Sequence, residues 1–379
     1  MKHPLHYGDS RSLCHDAVFA IIGDMDPFWR ARVRTIFLIF AIFFIAGCQE
    51  YNPHPSISEV TSLSDITQLT KDFDRAGEAF FSPDARWIVF RAQPDNRHQY
   101  ALYMAKIDAN KGDITTIERP IRITPIDARS EGGSFSPDGF TLIFSSTAGA
   151  HSQTSDRFPI DMRIDRVDNW ESTVSMTDAS TGINLAEHPL ITDHAYNGEC
   201  RFSADGRHIV FTSTRDGNPN LYVMNADGTH IVQITRTGAY DGQASFSPNG
   251  KQLLYCSDRG TNHLNQIYVA DLTFDSTGEI TGLTDEHALT WDENTNTNPA
   301  WYPDGTHIIY STSKHGHDNY ELYLMAINGR RKTRITYSPG ADLYPVFSPD
   351  GRYVMWTSKR AKDGTIQVFL AKFQFPLGS

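Results

Sequence analysis

An all-β, six-bladed propeller is the fold this sequence predicts, and three observations predict it. An aromatic residue leading into a Ser-Pro-Asp-Gly turn, or a close variant, recurs at Phe81, Phe135, Phe202, Phe246, Trp301 and Phe347. The shortest step, Phe202 to Phe246, is 44 residues, a period that belongs to solenoids, propellers and arrays. The copies carry four strand-like runs each, except that the last lacks its fourth, and an orphan run "ITQLT" (66–70) stands ahead of the first.

The elements follow in a fixed order, as "FSADGRHIVFTSTRDGNPNLYVMNADG" (202–228) shows. In the turn, Pro presets φ, Asp tolerates the next position, and Gly supplies the left-handed residue that sends the chain back. Ala85 stands where the other copies have that Gly, which predicts strain of about 1 kcal/mol in the first hairpin. Ala204 and Tyr302 replace other turn residues. A second strand follows, "HIVFTS" (208–213), "QLLYCS" (252–257) or "HIIYST" (307–312). These runs are rich in β-branched and aromatic residues and apolar on both faces, as a sheet covered on both sides requires. The third strand is "LYVMN" (221–225), "IYVAD" (267–271) or "LYLMA" (322–326), and the fourth ends in Thr: "VQIT" (232–235), "TGLT" (281–284), "TRIT" (333–336). Four antiparallel strands joined in order make a blade, and "ITQLT" paired beside "IQVFLAKF" (366–373) would complete the last one and close the ring. A segment read as an insertion in blade two, 148–172, includes Phe158 and Trp170 among interleaved charges.

The combination of "FSPDG", "S-x-R", "LYVMNADG" and "QIT" resembles the bacterial TolB-like propeller repeat over residues 63–375. TolB itself has an additional N-terminal α/β domain, for which the stretch before the first strand is too short. The resemblance is therefore to stand-alone propeller lipoproteins, and "SKHGHDNYELYLM" (313–325) and "PVFSPDGRYVMWTSKR" (345–360) fit that subgroup.

Ahead of the repeats, Arg30, Arg32 and Arg34 precede an apolar run, Ile36 to Ala46, too short to span a bilayer comfortably. That order predicts a signal peptide over 1–47, with Met25 as a conventional start. "IAGC" (45–48) resembles the lipobox, which implies lipidation of Cys48, a tether over 48–62, and a membrane-anchored chain. Gln49 after the Cys implies the outer membrane, facing the periplasm. The net charge is −11 and there is no basic stripe, so nucleic acid is not an expected partner. A monomer is expected. Cys200 and Cys256 are read as two buried thiols rather than a disulfide.

Enzyme signatures are mostly absent: there is no G-x-S-x-G, P-loop, H-E-x-x-H or dinucleotide fingerprint. His315 and His317 fall in a blade turn and read as solvated; His194, His263 and His287 share no spacing. The polar residues just ahead of each hairpin are more informative, because the first strand of a blade lines the central channel. Glu78, Asn197, Glu199, Asp241, Gln243, Asn296, Asn298, Asp342 and Tyr344 are expected at the channel mouth, while blade two offers only Ser130 and glycines. Such an acidic funnel suits an envelope protein or a basic peptide segment. No cofactor is expected, an axial divalent cation being the one exception left open. A basic residue after Ser in four blades, Arg215, Arg259, Lys314 and Lys359, is expected to bond to a neighbouring blade. The function read from these features is non-catalytic binding. The alternative is a carbohydrate-active lyase or hydrolase with an axial metal, by analogy with oligogalacturonate lyases, whose ligands find no residue-by-residue match here.

Overall fold

A computed structural model describes residues 62–94, 99–110, 112–125, 127–148, 161–167, 170, 182–183, 185, 188–193 and 195–376. The signal peptide, Cys48, most of the tether, Phe158 and His194 lie outside them.

The described chain forms six sheets arranged as a ring. The first strands are Arg75–Phe81, Ser130–Phe135, Asn197–Phe202, Asp241–Phe246, Asn296–Trp301 and Asp342–Phe347. Each packs against the first strand of the next sheet, and the sixth returns to the first. These strands line the axis, and the remaining strands of each blade, three in five blades and four in blade one, run outward from them.

Closure follows the reading of the orphan run. Leu63–Gln68 pairs antiparallel with Gln367–Phe373, from Leu63 opposite Phe373 to Gln68 opposite Phe369. Thr70 Oγ1 donates to Gln367 Oε1 at 2.8 Å and accepts from Val368 N at 2.9 Å. A parallel bridge from Arg75 to Ile366 ties the start of blade one to the same strand. The last blade is thus a composite of both ends of the repeat region.

The both-sided apolarity of the strands is explained by the core, which lies between blades. Ile88 and Phe90 of blade one pack on Met355 and Leu370 of blade six. Val89 and Leu102 pack on Leu142 and Phe144 of blade two. Equivalent apolar clusters fill the other four interfaces.

The turns show why Ser and Asp recur. Ser82 Oγ donates to Asp84 Oδ1 at 2.6 Å, and the same carboxylate accepts from Arg86 N at 3.0 Å. Ser203 with Asp205 and Ser348 with Asp350 repeat the arrangement. The residue after the Asp is left-handed in every copy, with Gly206 at φ 72° and Ala85 at 54°.

Two element expectations change. In blade four the fourth strand is Ile280–Ala288, not 281–284 alone, and Thr290 rather than Thr284 makes the bond that defines this position. Its Oγ1 accepts from Ile267 N, as Thr124, Thr235 and Thr336 accept from Leu102, Leu221 and Leu322. A long hairpin, Gln266–Phe274 with Ile280–Ala288, displaces the repeat by several residues and places a decoy Thr inside it. In blade two the third strand, Asp161–Arg166, lies within the segment 148–172 rather than after it.

Candidate functional site

The site begins with a backbone irregularity. In all six first strands the pairing with the second strand slips by a bulge, between Gly77 and Phe80 in blade one and at the matching place in the others. The bulged residue is left-handed each time: Glu78 (φ 48°), Gly132 (72°), Glu199 (56°), Gln243 (55°), Asn298 (50°) and Tyr344 (54°). Glycine adopts this conformation freely, whereas an ordinary side chain costs roughly 1–2 kcal/mol. Five of the six positions keep a side chain despite that cost, so the side chains must return something.

They return contacts across the ring. Glu199 Oε2 accepts from Gln243 N of the next blade at 2.8 Å, from Thr212 Oγ1 at 2.7 Å and from the Tyr240 hydroxyl at 3.1 Å. Gln243 Oε1 then accepts from Asn298 N at 2.8 Å and Thr297 Oγ1 at 2.9 Å. Asn298 is one methylene shorter, and its buried Oδ1 has no hydrogen-bond partner among the described residues. On the other side of the ring, Glu78 pairs with Arg91 at 2.7 Å and its N–H donates to Thr357 Oγ1 of blade six at 3.0 Å. Arg91 also faces Glu131 at 3.9 Å and lies over the Tyr344 ring at 5.8 Å. Burial raises the Glu78 carboxyl above its usual range, with Arg91 opposing the shift and Glu131 adding to it. The Glu78 charge, then burial, pushes the Tyr344 phenol up. Arg201 lies 3.8 Å over the Phe80 ring and donates to Gly132 O, and burial lowers its pKa.

Asn197, Asp241, Asn296 and Asp342 occupy a different place. Each is at most 1% exposed; Asn197, Asp241 and Asp342 are bonded within their own blades, whereas Asn296 reaches back to blade four. Asn197 Oδ1 accepts from Ser213 and Arg215. Asp241 accepts from Thr237 at 2.7 Å and Arg259 at 3.0 Å. Asn296 Nδ2 donates to Gln266 and Asp292. Asp342 accepts from Ser358, Trp356 Nε1 and Arg360, the last at 2.6 Å. Asn197, Asp241 and Asp342 thus pin the first strand to the end of the second, while Asn296 ties the first strand of blade five to the third strand of blade four. Of the basic residues expected to reach a neighbouring blade, Arg215 and Arg259 are partners of Asn197 and Asp241 within their own blades; Arg360, not Lys359, fills that role in blade six, and Lys314 lies over the Tyr323 ring of its own blade.

The ring at the bulges is the surface that faces the axis, with Glu78, Glu199, Gln243 and Tyr344 only partly buried. It is uneven. Around blades one to three it carries Glu78, Glu131 and Glu199 with Arg91 and Arg201; around blades four to six it carries Gln243, Asn298 and Tyr344. The sequence reading missed Arg91, Glu131 and Arg201. Arg91 had a visible signal, because the matching second-strand position is Ser145, Thr212, Cys256, Ser311 and Thr357 in the other blades.

His315 is held by Tyr323, with Nε2 2.8 Å from the hydroxyl, and burial with Arg334 lowers its pKa. Cys200 and Cys256 are free and buried, and burial pushes the Cys200 thiol up to about 11. Among the described residues, no group of three or more His, Cys, Asp or Glu side chains is arranged to hold a metal ion.

Comparison with known proteins agrees with the propeller fold. The family model for the TolB beta propeller domain matches residues 168–294 and 283–375. A protein TolB homolog from Chlorobium chlorochromatii is 30% identical over 173 residues, 44% of this chain and 36% of that protein. One from Chlorobium luteolum is 27% identical over 172 residues, 45% and 35%. This chain thus spans about a third of the length of the curated relatives it matches. Among solved structures, a putative TolB from Agrobacterium tumefaciens aligns with TM-score 0.52 at 15% identity, covering 79% of this chain and 91% of that one. At these identities the structural match speaks for the fold alone.

Proposed function

The chain belongs to the TolB beta propeller domain family, and from that premise we propose that it is a non-catalytic binding module of the bacterial cell envelope. It is anchored by lipid at Cys48 in the outer membrane and engages an envelope protein through the axial ring. One observation carries the reading: five bulge positions retain a side chain in left-handed backbone where glycine would relieve the strain. The acid-rich sector formed by Glu78, Glu131 and Glu199 favours a basic segment of the partner, and Arg91 supplies a counter-charge that the partner must share or displace.

The test is affinity capture from cross-linked envelopes, with captured proteins identified, purified and rebound. Glu199→Gln with Glu78→Gln is expected to lower rebinding strongly while the melting temperature shifts little. Unchanged rebinding by that double variant overturns the axial reading. Anchoring is tested separately: Cys48→Ser should lose the lipid mass and leave the membrane fraction, and unchanged fractionation refutes it.

A further inference from the structure

The most exposed large apolar side chain described is far from the axis. Trp291 is 74% exposed, well beyond Phe274 at 45% and Phe140 at 41%. It follows Thr290 at the end of the outermost strand of blade four. The turn between the third and fourth strands of blade five packs beside it: a Cβ on Gly329 would lie 3.1 Å from Leu289 O. That turn reads "NGRRKTR" and places three cations in a row, Arg330, Arg331 and Lys332, all exposed. The Lys332 ammonium lies 5.3 Å from the centre of the Trp291 ring. None of the three makes a salt bridge to a described acidic side chain, in contrast to Arg334 one turn inward, which is paired with Glu321 at 2.7 Å. Partial burial lowers the Lys332 pKa, with Asp292 opposing the shift and Lys314 adding to it. Of the two acids that follow Trp291, Asp292 is turned inward, its Oδ1 accepting from Asn294 N and Asn296 Nδ2.

We propose that Trp291 with Arg330, Arg331 and Lys332 forms a membrane-contact patch that seats the rim of blades four and five on an anionic phospholipid surface. A chain of net charge −11 is repelled by such a surface as a whole, so a local group of unpaired cations sets which side can approach. Trp suits the boundary between headgroup and acyl chain, having an apolar body and a polar N–H. Arg and Lys can lay their stems on the bilayer while their charges stay in the headgroup layer. Long, unpaired side chains at a turn tip fit a fluid array of phosphates, which adapts to them. A rigid protein partner would need side chains already held in place, as Arg334 is. The patch does not depend on the axial ring or on Cys48.

The experiment uses residues 55–379, whose ring is closed within residues 63–373 and which carry no lipid. Sedimentation is compared with vesicles of phosphatidylcholine alone and with one part phosphatidylglycerol in about three, at an ionic strength of about 0.1 M. Binding to the anionic vesicles is expected to exceed binding to the neutral ones by at least about tenfold. Arg330→Ser with Arg331→Asn and Lys332→Ser should remove that excess; Asn at 331 tolerates the left-handed backbone found there (φ 56°). Trp291→Ala should weaken binding severalfold at unchanged lipid charge dependence. Lys251→Ser, an exposed cation elsewhere on the ring, should bind like the parent. Equal binding to both vesicle types, full binding by the triple variant, or an equal loss with Lys251→Ser overturns the proposal. Thermal melts check that the variants fold, and should the triple variant melt low, Trp291→Ala and Lys332→Ser carry the same test singly.

Discussion

Asn197 and Glu199 stand two residues apart on one strand, as do Asp241 and Gln243, Asn296 and Asn298, and Asp342 and Tyr344. On a regular strand, residues i and i+2 point to the same face, so the two sets should form one surface. They form two. The earlier member of each pair is buried and, in three of the four, pins its own blade, Asn296 bonding to Gln266 of blade four instead; the later one, at the bulge, turns toward the axis and reaches the next blade where it bonds. A single left-handed residue per blade separates a stability element from a candidate binding surface. Substitutions in the two sets should therefore differ in kind, and four predictions press on that difference.

The largest effect is expected at a pin. Asp342→Ala leaves the Arg360 guanidinium, the Ser358 hydroxyl and Trp356 Nε1 without their shared acceptor in a buried site. Removing one partner of a buried ion pair costs about 3–5 kcal/mol. Denaturant titration should show that loss, and envelope-protein binding per folded molecule should be unaltered. A loss below about 1 kcal/mol would mean that the pins are not structural in the sense argued.

The ring itself offers an internal contrast. Gln243→Gly removes an acceptor that serves Asn298 N and Thr297 Oγ1, and should cost about 1–3 kcal/mol even though it relieves the backbone. Asn298→Gly removes a side chain whose Oδ1 bonds to none of the described residues, and should lie within about 0.5 kcal/mol of the parent. Chemical denaturation of the two variants side by side decides it, and equal losses would mean that the cross-blade bonds do not hold the ring.

A third prediction concerns pH. Glu321 is buried beside Arg334 and Thr336 and faces the pin Asp342, and burial raises its carboxyl to about 8. A folded-state value above the unfolded one means that the stabilisation is complete below about 4.5 and is lost as pH rises through about 8. Relative to Glu321→Gln, the parent should therefore lose melting temperature between pH 5 and pH 8. A difference that stays constant over that range refutes the assignment.

Much of the architecture was legible because it is written in repeated, local chemistry. Ser82 and Asp84 mark a turn wherever they recur, and the Thr-ended run at 66–70 could belong only to a blade that lacked one. The blade-four strand misled because Thr284 imitates Thr290 at the pattern level, and only pairing with Gln266–Phe274 separates them. The axial residues were found as a group but not divided, because residue identity does not carry φ: Asp and Glu ahead of a hairpin look alike until the bulge is known. Arg91 was passed over since it falls in a strand read for its apolar pattern, although its charge breaks that pattern, and Arg201 because it stands directly before Phe202, past the polar residues read ahead of the hairpin.

The smallest effect tests the logic of the strained side chains most directly. Ala85 and Glu199 are both left-handed, at φ 54° and 56°, and glycine relieves both. Ala85 sits in a hairpin whose other five copies have Gly, and its methyl group accepts no bond. Ala85→Gly should therefore stabilise the protein by about 0.5–1 kcal/mol, the relief of the left-handed methyl outweighing the added freedom of the unfolded chain. Glu199→Gly gains the same relief but gives up the acceptor for Gln243 N, Thr212 and Tyr240, so it should destabilise on balance. Opposite signs at matched φ would show that the ring keeps its side chains for what they bond. If both variants are more stable than the parent, the cross-blade bonds contribute less than the strain they require, and retention of side chains at the bulges would then have to be explained by binding alone.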